Sequence, residues 1–304
     1  MLLQISDHTW YMPREDEHYR PALGYVCCGS ASMVIDTGNS PEHISDMYGY
    51  IRSQGMPDPS FSMVTNWHWD HVFGMSSSPA KSLANSLTNE RLINMQHWDW
   101  SDSALNSRVA AGLEIPAFAE SIRKEVPMRH SFKVTSTDIS FDSSINIRLE
   151  DLQIQLHHVG GPHSEDSTVA FIPQDKVLFL GDCYREDIYT GGGSIRLGEL
   201  KLLLKRLDTF DAEWFVPSHE DPVQKDDFMK KMAEVVEIGE IIGNIDELNE
   251  GKEKLAAERN RELTEDEVYY VKRFVTGNRY SFIHTKFQSP VDETASENAA
   301  AENQ

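Results

Sequence analysis

The segment TNWHWDH, residues 65–71, places three potential metal ligands within four positions: His68, Asp70 and His71. It follows directly on FSMV (61–64), an apolar run that is typical of a buried strand. Asp70 and His71 are adjacent, so a regular strand would point them to opposite faces. Both can point inward only if the chain turns or begins a helix at this point. The segment therefore predicts a strand that ends in a metal-binding turn.

Further imidazole and carboxylate side chains stand at the same kind of position. His163, Asp182 and His219 each follow an apolar, strand-like run, and functional groups commonly gather at the ends of core strands. A single histidine is more often structural than a metal ligand, but four histidines that each close an apolar run favour a shared site. Nitrogen and oxygen donors without thiolate indicate zinc, with iron or manganese as the other candidates.

The composition narrows the range of functions. Acidic residues outnumber basic ones by 49 to 28, for a formal net charge of -21, which disfavours nucleic acid and anionic membranes as partners. No apolar run approaches the ~20 residues that cross a bilayer, and the first ten residues lack the features of a signal peptide. Cys27 and Cys28 are adjacent and poorly placed to bridge each other. The cysteines therefore indicate reduced thiols and a cytoplasmic location.

Strand-like and helical patterns alternate through residues 1–222, which are interpreted as the main domain. Strands are predicted at 25–38 (two segments broken at Gly29), 61–66, 131–136, 145–149, 152–159, 168–172, 176–181 and 213–218. Helices are predicted after the capping signature Ser40-Pro41, across most of 88–128, and at 195–207.

The pattern changes after residue 222. Residues 223–287 show helical spacing, and Thr264 and Glu267 form a capping-box signature for a last helix before Gly277. We interpret this stretch as a helical extension packed on the main domain, either as a cap over the site or as part of a homodimer interface. Residues 288–304 are rich in Ala, Ser, Asn and Glu, and this composition predicts a disordered acidic tail.

The motifs together resemble those of the metallo-β-lactamase superfamily over about residues 20–222. Five short motifs stand in the family's order, and five in order are far more specific than one. They are Asp36 in VIDTG, Asn66 to His71 at the H-x-H-x-D-H motif, His163, Asp182 in LGDCY, and His219 in VPSHED. The resemblance implies an αββα sandwich of mixed α and β structure, with two mixed sheets, helices outside, and the metals at one edge.

The resemblance also implies the roles of the site residues. One metal would be held by His68, His163 and the position of Asn66, a second by Asp70, His71 and His219, with Asp182 bridging both. Asp36 would not bind the metal itself but would fix the orientation of a ligand, as supporting carboxylates do in metal sites.

Asn66 departs from the family pattern, which has histidine at this position. An amide oxygen is a poor zinc donor beside imidazole, so the first of these sites loses a ligand and we expect one tightly held metal and one weak or absent one. Class B2 β-lactamases also have asparagine at this position, but they use a cysteine ligand that this chain lacks at the matching place. Asp182 instead matches the lactonase and glyoxalase II-like branch. Asn66 is therefore either a weak ligand or a donor to an oxyanion.

The resulting hypothesis is a zinc-dependent hydrolase that acts on a small carbonyl compound, an ester, lactone, thioester or amide, through a metal-activated hydroxide. Asp70 is the candidate for orienting that hydroxide or passing a proton, and Tyr184 for contacting a tetrahedral oxygen. The other aromatic side chains near the motifs, interpreted equally well as pocket walls or as packing residues, are Trp67, Trp69 and Phe73. The alternatives are a non-catalytic metal-binding member and a β-lactamase or phosphodiesterase of the same fold, the last disfavoured by the acidic surface.

Overall fold

The computed structural model describes residues 1–280, so the predicted tail 288–304 and the last part of the predicted extension, 281–287, lie outside the described residues. The described residues form two β-sheets that pack face to face, with helices on the outer face of each. This arrangement confirms the αββα sandwich of mixed α and β structure that the motifs predict.

The first sheet has seven strands in sequence order, β1-β2-β3-β4-β5-β6-β7. Neighbouring strands from β1 to β4 are antiparallel to each other, and neighbouring strands from β4 to β7 are parallel. The strands are β1 (Leu3–Ser6), β2 (Thr9–Met12), β3 (Leu23–Cys28), β4 (Ala31–Ile35), β5 (Phe61–Met63), β6 (Lys81–Asn85) and β7 (Ile139–Phe141).

The second sheet has six strands in the order β13-β12-β11-β10-β9-β8. Only β11 and β12 are parallel; the other neighbours are antiparallel, and β10 and β11 form the predicted hairpin. The strands are β8 (Ser144–Leu149), β9 (Leu152–His158), β10 (Thr168–Ile172), β11 (Val177–Gly181), β12 (Trp214–Pro217) and β13 (Val223–Gln224).

The helices cover the outer faces of the sheets. They are α1 (Pro41–Ser53), α2 (Trp69–Val72), α3 (Ser86–Met95), α4 (Asp102–Ala110), α5 (Pro116–Glu125), α6 (Leu197–Asp208), α7 (Lys225–Ile242), α8 (Leu248–Arg259) and α9 (Glu265–Arg279). Among residues 1–280, no helix combines the length and the apolar character that a membrane crossing needs.

The core has separate layers that follow from this order. Apolar side chains of both sheets, such as Met33 and Phe179, fill the space between them. Helix α1 covers the first sheet through Ile44 and its neighbours, while α6, α7 and α9 cover the second sheet through residues such as Leu203. Burial of this kind contributes ~1.5–3 kcal/mol for each large apolar side chain, so the sheet edges are held rigidly.

Local signals set the ends of two predicted helices. The Ser40 side chain accepts a hydrogen bond from the backbone N–H of His43 and caps α1, as predicted. Thr264 and Glu267 form the predicted capping box at the start of α9. The sequence predicts that this helix ends before Gly277, but the helix continues through Gly277 to Arg279. Gly277 is needed there for close packing, because a β-carbon would lie 2.1 Å from the carbonyl oxygen of Ile195.

One strand prediction was wrong, and strand β6 was not predicted. Residues 131–136 form no strand, and their apolar pattern comes from Phe132 and Val134, which are buried in the cluster that also holds Phe73 and Trp100. Strand β6 was missed because its sequence, KSLAN, has only two apolar residues. Its Ser82 is buried and hydrogen-bonded to Asp138, which a pattern of apolar residues does not reveal.

The predicted division at residue 223 stays a prediction, but the structure locates the elements around it. β13 pairs with β12 and forms an edge of the second sheet. After β13 come three helices, of which α7 and α9 contribute Phe228, Met232 and Phe274 to the same apolar cluster as α6. Helix α8, which the sequence did not predict separately, packs against both of them.

Asp175, in the turn between β10 and β11, ties the β1–β2 turn to the second sheet. Its buried carboxylate accepts hydrogen bonds from the Ser6 hydroxyl (2.5 Å), the Thr9 hydroxyl (2.6 Å), and the backbone N–H and Nδ1 of His8 (2.9 and 2.8 Å). Burial alone would raise the pKa of this carboxyl, but these donors lower it below its ordinary value.

We expect Asp175→Ala to lower the free energy of unfolding by ~2–4 kcal/mol at pH 7, because it leaves buried donors without an acceptor. The loss should shrink as the pH falls below 3.8, the ordinary pKa of the carboxyl, because the charged form is the one that the fold stabilises. Urea unfolding measures the difference, with Asp151→Ala as a control at an exposed carboxylate of the β8–β9 turn. Equal losses in the two variants would contradict this role of Asp175.

Candidate metal centre

The predicted ligands meet at one edge of the sandwich. His68 caps the short helix α2, which carries Asp70 and His71 and follows closely on β5. The other three side chains follow strands of the second sheet, with His163 after β9, Asp182 directly after β11 and His219 after β12. All are buried except the His219 side chain, which is 11% exposed. The turn into α2 is what lets the adjacent Asp70 and His71 both face the site.

Four of these residues form a compact group, here named the four-donor site: Asp70, His71, Asp182 and His219. His219 Nε2 lies 3.0 Å from Asp70 Oδ2 and 3.3 Å from Asp182 Oδ2, and His71 Nε2 lies 3.7 and 3.2 Å from the same two oxygens. A tetrahedral zinc ion with ligands at 2.0–2.2 Å holds its donors about 3.3–3.6 Å apart. The spacing of the four donors therefore fits one metal ion.

The charges of the four-donor site also suit a cation. Burial alone would lower the pKa of His219, but Asp182 and Asp70 outweigh it and raise that pKa to about 9. His71 is likewise held protonated, because Asp36 and Asp70 outweigh the effect of burial and raise its pKa. Two buried carboxylates thus require positive charge beside them. A metal ion would supply it and displace the protons, since only neutral imidazole binds metal.

Asp36 fixes the orientation of His71. Its carboxylate lies 2.9 Å from His71 Nδ1 and also accepts hydrogen bonds from the backbone N–H and hydroxyl of Thr65 (2.7 and 2.9 Å). Nδ1 thus donates to Asp36, and Nε2 faces Asp182. Asp36 adopts a left-handed backbone conformation, with φ of 62°, which is uncommon for a non-glycine residue and often marks a functional site.

His68 and His163 form a second group, here named the two-imidazole site. Their ring centroids are 4.5 Å apart, and His163 Nε2 lies 3.7 Å from Asp182 Oδ2. His163 Nδ1 donates to the backbone carbonyl of Glu186 at 2.8 Å, which turns Nε2 toward the site. Burial, with the neighbouring His163, lowers the pKa of His68, so this ring is neutral and able to bind metal.

Two buried polar atoms point to a ligand between the groups. Within residues 1–280, His163 Nε2 and Asp182 Oδ1 make no hydrogen bond. Leaving such atoms unpaired costs ~1–3 kcal/mol each, and buried polar groups without partners are rare in folded proteins. The unpaired atoms and the imidazole donors fit a second, less completely coordinated metal ion beside Asp182.

Asn66 does not offer its oxygen to this site. Its Oδ1 accepts a hydrogen bond from the backbone N–H of His68 at 2.8 Å. Because a backbone N–H can only donate, this contact fixes which side of the amide carries the oxygen. Its buried Nδ2 has no partner among the described residues. Of the two predicted roles, this geometry favours donation to an oxyanion over metal binding, and both stay predictions.

The aromatic residues of the opening motif lie in the core. Trp67, Trp69 and Phe73 belong to the apolar cluster formed with α3, α4 and α5, and Phe73, at 0% exposure, packs edge-on against Trp100. Their positions therefore favour packing over a pocket mouth. The hydroxyl of Tyr184, a predicted catalytic group, donates to Glu220 at 2.7 Å, and this contact gives no support to a catalytic role.

Two tyrosines that the sequence did not single out lie against the histidines. The ring of Tyr19, from the loop between β2 and β3, has its centroid 4.9 Å from that of His219, and that of Tyr189 lies 5.3 Å from His68. Burial, with the charges of Asp70 and Asp182, raises the pKa of Tyr19, so its hydroxyl stays protonated. Both tyrosines stand outside any motif, and only their positions in the fold reveal them.

A buried carboxyl near the site was also missed. Glu114, between α4 and α5, accepts a hydrogen bond from the backbone N–H of Ile115. Burial, with a contribution from the charge of Asp70, raises the pKa of Glu114 to about 7. Strongly shifted carboxyls of this kind are common at functional sites. Because Glu114 lies in the helical stretch 88–128, no strand-end signal indicated it.

Known proteins resemble this chain in fold and in one segment of the sequence. No family model matches the sequence. A segment of 86 residues is 28% identical to a type 2 metallo-β-lactamase of Bacteroides fragilis; it covers 27% of this chain and 34% of that protein. The chain thus spans about a third of the length of the curated relative that it matches.

Solved structures resemble the whole sandwich. A metallo-β-lactamase from Pontibacter korlensis is 19% identical, with a TM-score of 0.55, over 78% of this chain and 98% of that one. The DIM-1 metallo-β-lactamase is 17% identical, with a TM-score of 0.55, over 78% and 96% of the two chains. At these identities the likeness shows the fold alone. The fold is that of the metallo-β-lactamases, and the sequence match supports the superfamily that the motifs indicate.

The two groups predict unequal metal binding. We expect wild-type protein to hold one zinc ion tightly, in the four-donor site, and a second weakly or not at all. Asn66→His should raise the stoichiometry toward two, because imidazole is a far better zinc donor than an amide. Zinc titration against a chromophoric chelator measures the stoichiometry. The control is Asn39→His, at a buried asparagine that donates hydrogen bonds to the backbone carbonyls of His18 and Tyr19. Wild-type protein that binds two ions with equal affinity would contradict the expected difference.

Proposed function

We propose that this chain, which has the metallo-β-lactamase fold, is a zinc-dependent hydrolase of a small carbonyl compound such as an ester, lactone, thioester or amide. The observation that carries the proposal is the four-donor site: two imidazoles and two carboxylates, with contacts between 3.0 and 3.7 Å, at the edge where strands end. A buried cluster of this composition has no evident purpose without a cation.

The residues that would hold the metal are those of the four-donor site, with His68 and His163 beside them. When bound, zinc lowers the pKa of water to about 7 and polarises a carbonyl oxygen. Asp70, whose Oδ2 lies 3.0 Å from His219 Nε2, would orient the nucleophile and accept its proton. Asp36 keeps His71 in the productive tautomer throughout, because it accepts the Nδ1 proton.

Asn66 has the chemistry of an oxyanion donor. Its amide Nδ2 is buried and has no hydrogen-bond partner within residues 1–280, and the amide is held in place because its oxygen already accepts a hydrogen bond. A fixed donor of this kind contributes ~2.7–4 kcal/mol when it faces the developing negative charge of a transition state. On this proposal, Asn66 donates a hydrogen bond to the substrate and does not bind a metal ion.

The rings of Tyr19 and Tyr189 would form the walls of the substrate site. They lie against His219 and His68 respectively, and stack on Trp69 and Trp67. Walls of this kind exclude water from the reacting groups and strengthen the electrostatic interactions among them. The acidic surface, with a net charge of -21, would repel phosphodiesters, so we favour neutral carbonyl substrates.

A β-lactam is the second candidate substrate. The match to the type 2 metallo-β-lactamase of Bacteroides fragilis favours it, and a β-lactam is itself a cyclic amide. A cytoplasmic location is proposed with the enzyme, on the ground that Cys27, Cys28 and Cys183 form no disulfide. A homodimer through the helical extension stays a prediction.

The proposal is tested by metal removal combined with a substrate panel. Chelated protein should lose most of its hydrolytic activity toward chromogenic esters, lactones, thioesters or nitrocefin, and zinc or manganese should restore it. Asp182→Ala should lower the zinc affinity and the turnover, each by roughly a hundredfold, and the metal content of the purified protein should fall with the affinity, since the variant lacks a donor. Asp211→Ala, at an exposed carboxylate before β12, is the control.

Each result separates the alternatives. Hydrolysis of nitrocefin alone would favour the β-lactamase, and hydrolysis of the other carbonyl compounds the broader hydrolase. Metal binding without turnover of any substrate would indicate a non-catalytic metal-binding protein. Full activity of demonstrably metal-free protein would refute metal dependence, and unchanged metal content in Asp182→Ala would show that Asp182 is not a ligand.

A further inference from the structure

The segment that follows Asp182, residues 183–196, is here named the metal loop because it contacts both residues of the two-imidazole site. The backbone carbonyl of Glu186 accepts the Nδ1 proton of His163. The ring of Tyr189 lies edge-on to His68 and stacks on Trp67, with centroids 5.5 Å apart. The orientation of both imidazoles therefore depends on where this loop lies.

The glycines of the metal loop make its conformation depend on the contacts that hold it. It contains three consecutive glycines, 191–193, with φ of 59°, 77° and 113°. Glycine loses more conformational freedom on folding than any other residue, so a Gly-Gly-Gly turn stays in one conformation only if other elements hold it. Some contacts lie within the loop: Asp187 forms a backbone bridge with Ser194, and its carboxylate accepts hydrogen bonds from the Tyr189 N–H and the Thr190 hydroxyl.

The other contacts come from α9, the last helix of the extension. Glu186 Oε1 accepts a hydrogen bond from the Tyr269 hydroxyl at 2.5 Å and lies 3.3 Å from Arg273 Nη2. Arg273 also donates from Nη1 to the carbonyl of Gly192 at 2.8 Å, and its own carbonyl accepts from the backbone N–H of Ile195 at 3.0 Å. The helix thus holds the loop at its beginning, at the glycines and at its end.

The geometry points to Tyr269 and Arg273 as positioning residues for the two-imidazole site, which act through Glu186 on His163. This inference rests on the proposed function, because it concerns metal binding. The Glu186 side chain accepts a hydrogen bond from α9, and its backbone carbonyl accepts one from His163. One residue therefore connects the helical extension to a candidate metal ligand. Because Asn66 deprives this site of a donor, its affinity depends on how well its two imidazoles are oriented in advance.

The first test uses metal-free full-length protein, so its result does not depend on activity. In the wild type, the His163 Nδ1 proton should give a downfield NMR signal that exchanges slowly with water, because Glu186 accepts it. Tyr269→Phe and Arg273→Met should each speed this exchange about threefold to tenfold. Arg273→Lys should rescue part of the effect, because lysine keeps the charge near Glu186 but not both contacts.

Tyr270→Phe is the matched control. It removes a hydroxyl from the neighbouring tyrosine of α9, whose ring packs edge-on against that of Tyr269 at 5.2 Å, and the Glu186 hydrogen bond is made by Tyr269. Exchange in Tyr270→Phe should match the wild type. Thermal unfolding of each variant separates loss of folding from loss of positioning. If Arg273→Met unfolds early, Tyr269→Phe and Arg273→Lys are compared with the wild type instead.

The second test measures zinc affinity in the Asn66→His background, in which both sites should be filled. Tyr269→Phe should weaken the second zinc equivalent about tenfold and change the first less than twofold. Equal exchange and equal zinc affinities in Tyr269→Phe, Arg273→Met and their parents would overturn the positioning role and leave the proposed function intact. Failure of the parents to bind any zinc would refute the proposed function, and this inference with it.

Discussion

The hydrogen bond between His71 Nδ1 and Asp36 is the contact on which the rest of the centre depends. It joins the end of β4 to helix α2, and the same carboxylate binds Thr65 just after β5, so one residue fixes the junction of two core strands and the metal motif. It also sets the tautomer of His71, whose Nε2 then faces Asp182. Without it, two buried carboxylates would lack an oriented partner, a costly arrangement in a protein interior.

The four-donor site and the two-imidazole site share this frame, but the first has more candidate ligands. Asp70, His71, Asp182 and His219 approach one another closely enough for a single ion, whereas His68 and His163 have only each other and a share of Asp182. The asparagine at position 66 spends its oxygen on the turn that begins α2. The amide therefore presents its Nδ2, a hydrogen-bond donor without a partner among residues 1–280, and not its oxygen.

The sequence predicted the elements whose signals are local. The N-cap Ser40, the capping box at Thr264, the β10–β11 hairpin and the strand-end positions of the histidines each depend on a few neighbouring residues. Contacts between distant segments were missed: Tyr19 reaches His219 from the β2–β3 loop, and Glu186 connects His163 to α9. Gly277 shows the same limit, since a glycine that reads as a helix stop in fact admits the carbonyl of Ile195.

Anomalous diffraction at the zinc edge, from crystals soaked in excess zinc, tests the difference between the sites most directly because it locates each ion. We expect a strong peak about 2.0–2.2 Å from donors of Asp70, His71, Asp182 and His219. Any peak between His68 and His163 should be clearly weaker. A peak of equal or greater strength between those two imidazoles, or no peak in the four-donor site, would contradict the tighter binding of zinc by the four-donor site.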